Sequence, residues 1–385
     1  MTSVSGLLEG KRVCVCGGSG GVGKTTTSAA IALGMAMRGA RVAVVTIDPA
    51  RRLANALGLE ELENEPRRID PAHLGPEVAG ELWAMMLDPK RTFDELIARL
   101  APDPQRAAAI MANRVYRQLS TAVSGSQEFT AVAKLHELAA RADFDLLVLD
   151  TPPSRNALDF LEAPARLTSF LEGGALRALV RPTGLGMRLV GRGAAPLFAA
   201  LRRVTGVDLV SDLGTFFSLL GGMTEDFAQR ARAVQELLRA PTSAFVLVTC
   251  AQAAAIEEAI WFRRTLQESE LPFAGVIVNR YHADGIAEVQ PGSVRRALDG
   301  RLDSELARRV AASFADHHRL ALRDRRNLEA LTAELHGAPL HLVPQLDDDV
   351  HDLAGLERVR RHLFAAGDDV AGLRRAQREP RIAGA

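Results

Sequence analysis

A chain of 385 residues in which 47 basic side chains balance 47 acidic ones can hold one enlarged domain or two lobes, since single cores stop growing near about 250–300 residues. Its neutrality supplies no bulk positive field, which argues against nucleic acid as a partner. Three cysteines, Cys14, Cys16 and Cys250, are too few for a disulfide framework or a four-cysteine zinc site, so a cytoplasmic, reducing setting without structural zinc is expected.

Residues 12–16 read as a short buried strand that enters a glycine-rich turn and then an alanine-rich helix over 26–38. Residues 41–47 form the next apolar strand and end at Asp48-Pro49. Strand, loop, helix and strand in that order open a parallel sheet. The N-terminus carries no signal-peptide pattern. No later segment reaches the roughly 20 uninterrupted apolar residues of a spanning helix, which leaves only transient, peripheral contact with a membrane.

Residues 76–140 and 154–240 read as mainly helical, on three- and four-residue spacings such as Leu82-Met85-Met86, Phe93-Leu96-Ile97-Leu100 and Phe227-Ala231-Val234-Leu237-Leu238. Between them, the apolar run 144–149 delivers Asp150, and glycine-rich 184–193 reads as a loop or lid. Further strands at 244–249, 273–278 and 340–343 lead to a helix over 252–267, to Asn279 and to Pro344. An Arg-rich helix over 302–325 and a last helix over 353–363 complete the pattern, followed by a flexible polar tail, 366–385.

The expected organisation is a discontinuous core, 1–75, 141–153 and 241–365, with a helical lobe made of 76–140 and 154–240. Ligands of an open α/β sheet sit beyond the carboxyl ends of its strands, where Asp48, Asp150, Asn279 and Pro344 fall. There is no internal repeat.

The run Gly18-Ser19-Gly20-Gly21-Val22-Gly23-Lys24-Thr25 fits GxxxxGK[ST] with a strand before it and a helix after. Lysine occurs elsewhere only at Lys11, Lys90 and Lys134, so Lys24 stands out. The backbone of Gly20, Gly21, Val22 and Gly23, with Lys24, Thr25 and Thr26, is the expected cradle for the phosphates of a nucleoside triphosphate. Thr25 is placed to ligate Mg²⁺ directly, and Asp48 and Asp150 through water. Lys24, Asp48 and Asp150 form the catalytic set, with Asp48 positioning water or acting as general base. A turn-forming Asp-Pro at Asp48 and a helix cap at Asp150 are the plain alternatives.

The phosphate loop, together with Thr46-Ile47-Asp48-Pro49-Ala50 and Asp150-Thr151-Pro152-Pro153-Ser154, resembles the ArsA family of ATPases. The likeness continues through Leu158-Asp159-Phe160-Leu161, Val278-Asn279-Arg280 and Leu342-Val343-Pro344. It implies an α/β P-loop NTPase fold with a predominantly parallel sheet, a deviant phosphate loop and a large helical insertion lobe. It also implies Mg-dependent ATP hydrolysis that controls a dimer. Asp48 would then belong to the first switch, Asp150 would begin the second, whose residues 151–156 would sense the terminal phosphate, and Asn279 with the backbone of 344–346 would belong to the adenine pocket. From the residue alone, Asn279 suits an adenine edge or a structured loop equally.

Three departures accompany the likeness. Relatives carry a signature lysine that reaches into the partner's site, and here Ser19 stands at that position; Arg51, Arg52 or Arg155 could substitute. The zinc-binding CxxC of the tail-anchored protein targeting branch is absent, as is the arsenite-binding cysteine set of the efflux branch. The resemblance is nearest to one half of a bacterial pair of ArsA-like ATPases, which favours a heterodimer with a second such subunit over a homodimer. A weakly active or inactive ATP-binding subunit that completes such a pair is the alternative reading. Small-molecule kinases and partition ATPases share the loop but fit the switch segments and the insertion less well. Leu82-Trp83-Met85-Met86-Leu87 and Phe216-Phe217-Leu219-Leu220 read either as the lobe's core or as a surface for a protein client. Asp347-Asp348-Asp349 reads as a solvated turn before a helix rather than a metal cluster.

Overall fold

The computed structural model describes residues 3–48, 50–74, 77–117, 126–151, 209–221, 223–283, 291–298 and 300–365. Pro49, residues 152–156 of the expected second switch, 158–161, the glycine-rich 184–193 and the tail 366–385 lie outside them.

In chain order the elements are α1 (Val4–Leu7), β1 (Val13–Gly17), α2 (Lys24–Met37), β2 (Arg41–Thr46), α3 (Arg52–Ala56), β3 (Arg67–Arg68), α4 (Pro71–Leu74) and β4 (Glu81–Met86). Then come α5 (Pro89–Leu100), α6 (Pro104–Ala112), α7 (Ser126–Arg141), β5 (Leu146–Asp150), α8 (Leu209–Leu220) and α9 (Thr224–Arg239). The chain closes with β6 (Ser243–Cys250), α10 (Ala253–Glu268), β7 (Phe273–Tyr281), α11 (Pro291–Leu298), α12 (Ser304–Leu335), β8 (Leu340–Pro344) and α13 (Leu353–Phe364).

The strands form one sheet in the order β3-β4-β2-β5-β1-β6-β7-β8. Only the β3–β4 pair is antiparallel; the other pairs are parallel. The central strands β1 and β5 are buried at every residue, because helices cover both faces of a parallel sheet. That is why they are unbroken apolar runs in the sequence. Register aligns the carboxyl ends: Thr46 and Cys16 both sit opposite Asp150, Cys250 opposite Asn279, and Tyr281 opposite Pro344. Side chains far apart in the chain thus reach one edge.

The helical expectation for 81–86 is corrected. This stretch is β4, paired in parallel with β2 from Arg41↔Glu81 to Thr46↔Met86. Leu82 and Met85 are fully buried, so they are sheet core and no client groove. Its half-buried positions include the apolar Trp83 and Met86 beside buried Leu82, Ala84 and Met85, so polar alternation is missing, and Leu, Ala and Met are good helix formers, which is why a helical spacing could be read there.

Two compact units divide the chain. The first is Met1–Met86, Asp143–Ala157 and Ala240–Ala385; the second is Leu87–Ala142 and Leu158–Arg239. The second unit therefore starts after β4 rather than at 76. Its described part is helical, with α5 and α6 each opened by an Asp-Pro pair: Asp88 accepts from the Arg91 amide at 2.9 Å and Asp103 from the Arg106 amide at 2.8 Å. Such caps satisfy amide donors the first helical turn leaves open. Arg106 also donates to the carbonyls of Leu219 and Gly221, both at 2.7 Å, and closes the end of α8. Phe216 and Leu220 are buried in this unit's core with Ile110, Tyr116 and Phe227, which places them in packing rather than on a client surface. Among the described residues no helix is long and apolar enough to cross a membrane.

Candidate active site

The loop between β1 and α2 is shaped by close approach. At Gly18 a Cβ would lie 2.0 Å from the Val248 carbonyl oxygen; at Gly23, where φ is 92°, it would lie 2.2 Å from Nδ2 of Asn279. Only glycine fits either position. The loop is held from the neighbouring strand by Asn279, whose amide donates to the Val22 carbonyl at 3.0 Å.

Lys24, 6% exposed, donates from Nζ to the carbonyls of Gly18 and Ser19, both at 2.8 Å. Burial holds its pKa below the ordinary lysine value, opposed by the negative charges of Asp150, Glu258 and Asp48. The ammonium is thus tethered over the loop by two carbonyls, partners that phosphate oxygens can replace.

Asp150 is 1% exposed. Its Oδ2 accepts from the Thr25 hydroxyl at 2.7 Å and from the Thr46 hydroxyl at 2.9 Å, while its Oδ1 is buried with no hydrogen-bond partner among the described residues. Burial pushes its pKa up to about 6, against the lowering effect of the two hydroxyls and Lys24. A buried, partly unsatisfied carboxylate bonded to the P-loop threonine is the donor set that fits a hydrated Mg²⁺. Thr25 would hold the ion directly and Asp150 through water. Among the described residues no group of three or more His, Cys, Asp or Glu side chains is placed to hold a metal.

Asp48 follows β2. Its amide donates to the Thr46 hydroxyl oxygen at 3.2 Å, its Oδ1 accepts from the Ala50 amide at 2.9 Å, and its Oδ2 lies 3.5 Å from Nη1 of Arg52. Thr46 thereby links Asp48 to Asp150. That link was not singled out in the sequence; its only trace is one hydroxyl at the end of the apolar strand Val42–Val45. Thr151, which follows Asp150 in the expected second switch, donates from its hydroxyl to the Cys16 carbonyl at 2.8 Å.

A cavity of about 440 Å³ brings Lys24, Thr25, Thr26, Asp48, Asn279 and Pro344 to one wall system, with Gly21 and Gly23 also on it. Gly20 and Val22 line a second cavity of about 480 Å³, together with Ser19 and Gly21. The Ser19 hydroxyl oxygen is buried without a partner among the described residues. Asp348 and Asp349 border the first cavity, while the next acidic residue, Asp352, caps α13 by accepting from the Gly355 amide at 2.7 Å.

A glycine loop between a central parallel strand and a helix, with lysine, threonine and two carboxylates at one sheet edge, defines a P-loop nucleotide-binding protein. The model of the ArsA-type Anion-transporting ATPase family matches residues 11–322, and the chain belongs to that family of ATPases. It is 31% identical to ATPase GET3 of Malassezia globosa over 156 residues, 40% of this chain and 43% of that protein. It is 30% identical to ATPase get3 of Aspergillus terreus over 158 residues, 40% and 44% of the two chains. With ATPase GET3 of Podospora anserina the identity is 28% over 177 residues, 44% and 50%. The chain spans half or less of the length of these curated relatives.

Proposed function

We propose that this chain binds Mg-ATP in the cavity above the phosphate loop, hydrolyses it, and uses the nucleotide state to control a dimer and the helical unit. The observation that carries the reading is the join of Thr25, Thr46 and Asp150 beside Lys24. In it, Lys24 and the loop amides hold phosphate oxygens, and Asp150 fixes the Thr25 hydroxyl. Asp48 orients the attacking water and takes its proton as oxygen adds to the terminal phosphorus and ADP leaves. Mg²⁺, when bound, supplies positive charge at the phosphate oxygens. Asn279 and the backbone around Pro344 border the base, with the Asn279 carboxamide already anchored to the loop through Val22.

A second reading rests on Ser19. A neutral hydroxyl cannot offset developing phosphate charge as a lysine does, so this chain would turn over slowly alone and would be completed by an unlike ATPase subunit that carries its own lysine. The heterodimer is favoured on that ground, and a protein client of the helical unit is part of the same proposal.

The test is light-scattering mass with ATP, ADP or no nucleotide, combined with phosphate release. An ATP-dependent dimer with turnover supports the self-sufficient form; ATP binding without turnover supports the subunit form. A mass and a rate that ignore ATP would remove both.

A further inference from the structure

Among the described residues, five non-glycine residues have positive φ: Arg51, Ala142, Glu270, Arg280 and His336. Ala142, Glu270 and His336 follow the ends of α7, α10 and α12, where a left-handed residue commonly closes a helix. Arg51 leads into α3, and its guanidinium lies 3.3 Å from Glu61. Arg280, with φ of 58°, lies inside β7 with no helix end to account for it.

Its backbone is clamped on both sides. Asn279 bonds the Val22 carbonyl, the Tyr281 carbonyl accepts from the Gln345 amide at 2.9 Å, and the His282 amide donates to buried Asp324 at 3.0 Å. Between these anchors the β7–β8 register slips, from Val278 to Tyr281. Irregularities of this kind next to active sites re-aim a side chain, and left-handed backbone outside glycine persists only where the surroundings over-determine it.

Arg280 borders both cavities, the one with Lys24, Thr25 and Asp48 and the one with Ser19. The neighbouring guanidinium groups are engaged: Arg52 with Asp48, and Arg323 with Asp324 at 2.7 Å. No described residue hydrogen-bonds or pairs with that of Arg280. We propose that Arg280 is a phosphate-reading residue, supplying from within the chain a positive charge that Ser19 does not. This deepens, and rests on, the nucleotide reading above.

The experiment is calorimetric titration of adenosine, AMP, ADP and Mg-ATP into the wild-type chain and into Arg280→Ala, Arg280→Lys and Arg280→Gly. Glycine accepts the left-handed backbone without cost, so it separates the side chain from the strain. The expected result is a loss of about tenfold or more in ATP affinity for both Ala and Gly, in line with a charge-assisted contact. The loss shrinks from ATP to AMP, vanishes for adenosine, and is partly restored by Lys. Equal losses for adenosine and ATP would assign Arg280 to the base and overturn the proposal, as would a folded Arg280→Gly chain with wild-type ATP affinity. If the wild type binds ATP and Lys24→Ala does not while the Arg280 variants match wild type, the inference falls alone. If the wild type binds no nucleotide, the underlying reading falls with it.

Discussion

The Thr25 hydroxyl, at the second residue of α2, donates a 2.7 Å hydrogen bond to the Asp150 carboxylate at the end of β5, across 125 positions of sequence. This contact ties the phosphate loop to the end of β5 and holds a buried carboxylate against the P-loop threonine.

That carboxylate should be visible in a stability profile. Its folded pKa, about 6, lies above its ordinary 3.8. Its contribution is therefore most favourable below pH 3.8 and is lost as pH rises through about 6, a cost of about 3 kcal/mol at neutral pH. Asp150→Asn, which keeps an acceptor for Thr25 and Thr46, should unfold at a higher temperature than wild type at pH 8. The gain should shrink as pH falls below 6, while Mg-dependent turnover is lost. Thermal unfolding across pH checks this, and a variant less stable at pH 8 than at pH 4 relative to wild type would contradict it.

Gly23 and Gly21 make a paired test of the Asn279 anchor. Both have positive φ, yet a Cβ at Gly21 meets nothing within 4 Å, whereas one at Gly23 strikes the Asn279 amide. Gly21→Ala should cost only backbone strain, about 1–2 kcal/mol. Gly23→Ala should cost more in unfolding free energy and also weaken nucleotide binding. Equal losses in a denaturant titration would mean that the Asn279 bond to Val22 carries no weight.

Asp48→Asn separates a turn from a catalyst. The amide retains an acceptor for the Ala50 N–H, and the lost pairing with Arg52, itself 63% exposed, is worth at most about 1 kcal/mol. The fold and ATP affinity should survive, while turnover drops by about 10²–10⁴. Unchanged turnover would leave Asp48 as a turn former only.

Much of this arrangement was legible because the chemistry is local. The phosphate loop is one continuous segment, and the strands ahead of Asp48, Asp150, Asn279 and Pro344 are apolar runs bounded by turn signals. What the sequence hid depends on neighbours. β4 reads as helix because apolar Trp83 and Met86 fill half-buried positions beside buried Leu82, Ala84 and Met85, so no polar alternation marks the strand. The Thr46 bond to Asp150 exists only through cross-strand register, and the strained backbone of Arg280 arises from anchors on three other segments. The expected helix 302–325 falls short of α12, Ser304–Leu335, whose end carries Leu328, Leu331 and Leu335 at helical spacing and stops only at left-handed His336 followed by Gly337.

The most direct test of the central claim is titration of Mg-ATP into the purified chain and into Lys24→Ala. Saturable binding that depends on Mg²⁺ and is lost without the Lys24 ammonium is the predicted result. Absence of binding by the wild type, or equal binding by the variant, would contradict a nucleotide site built on this loop.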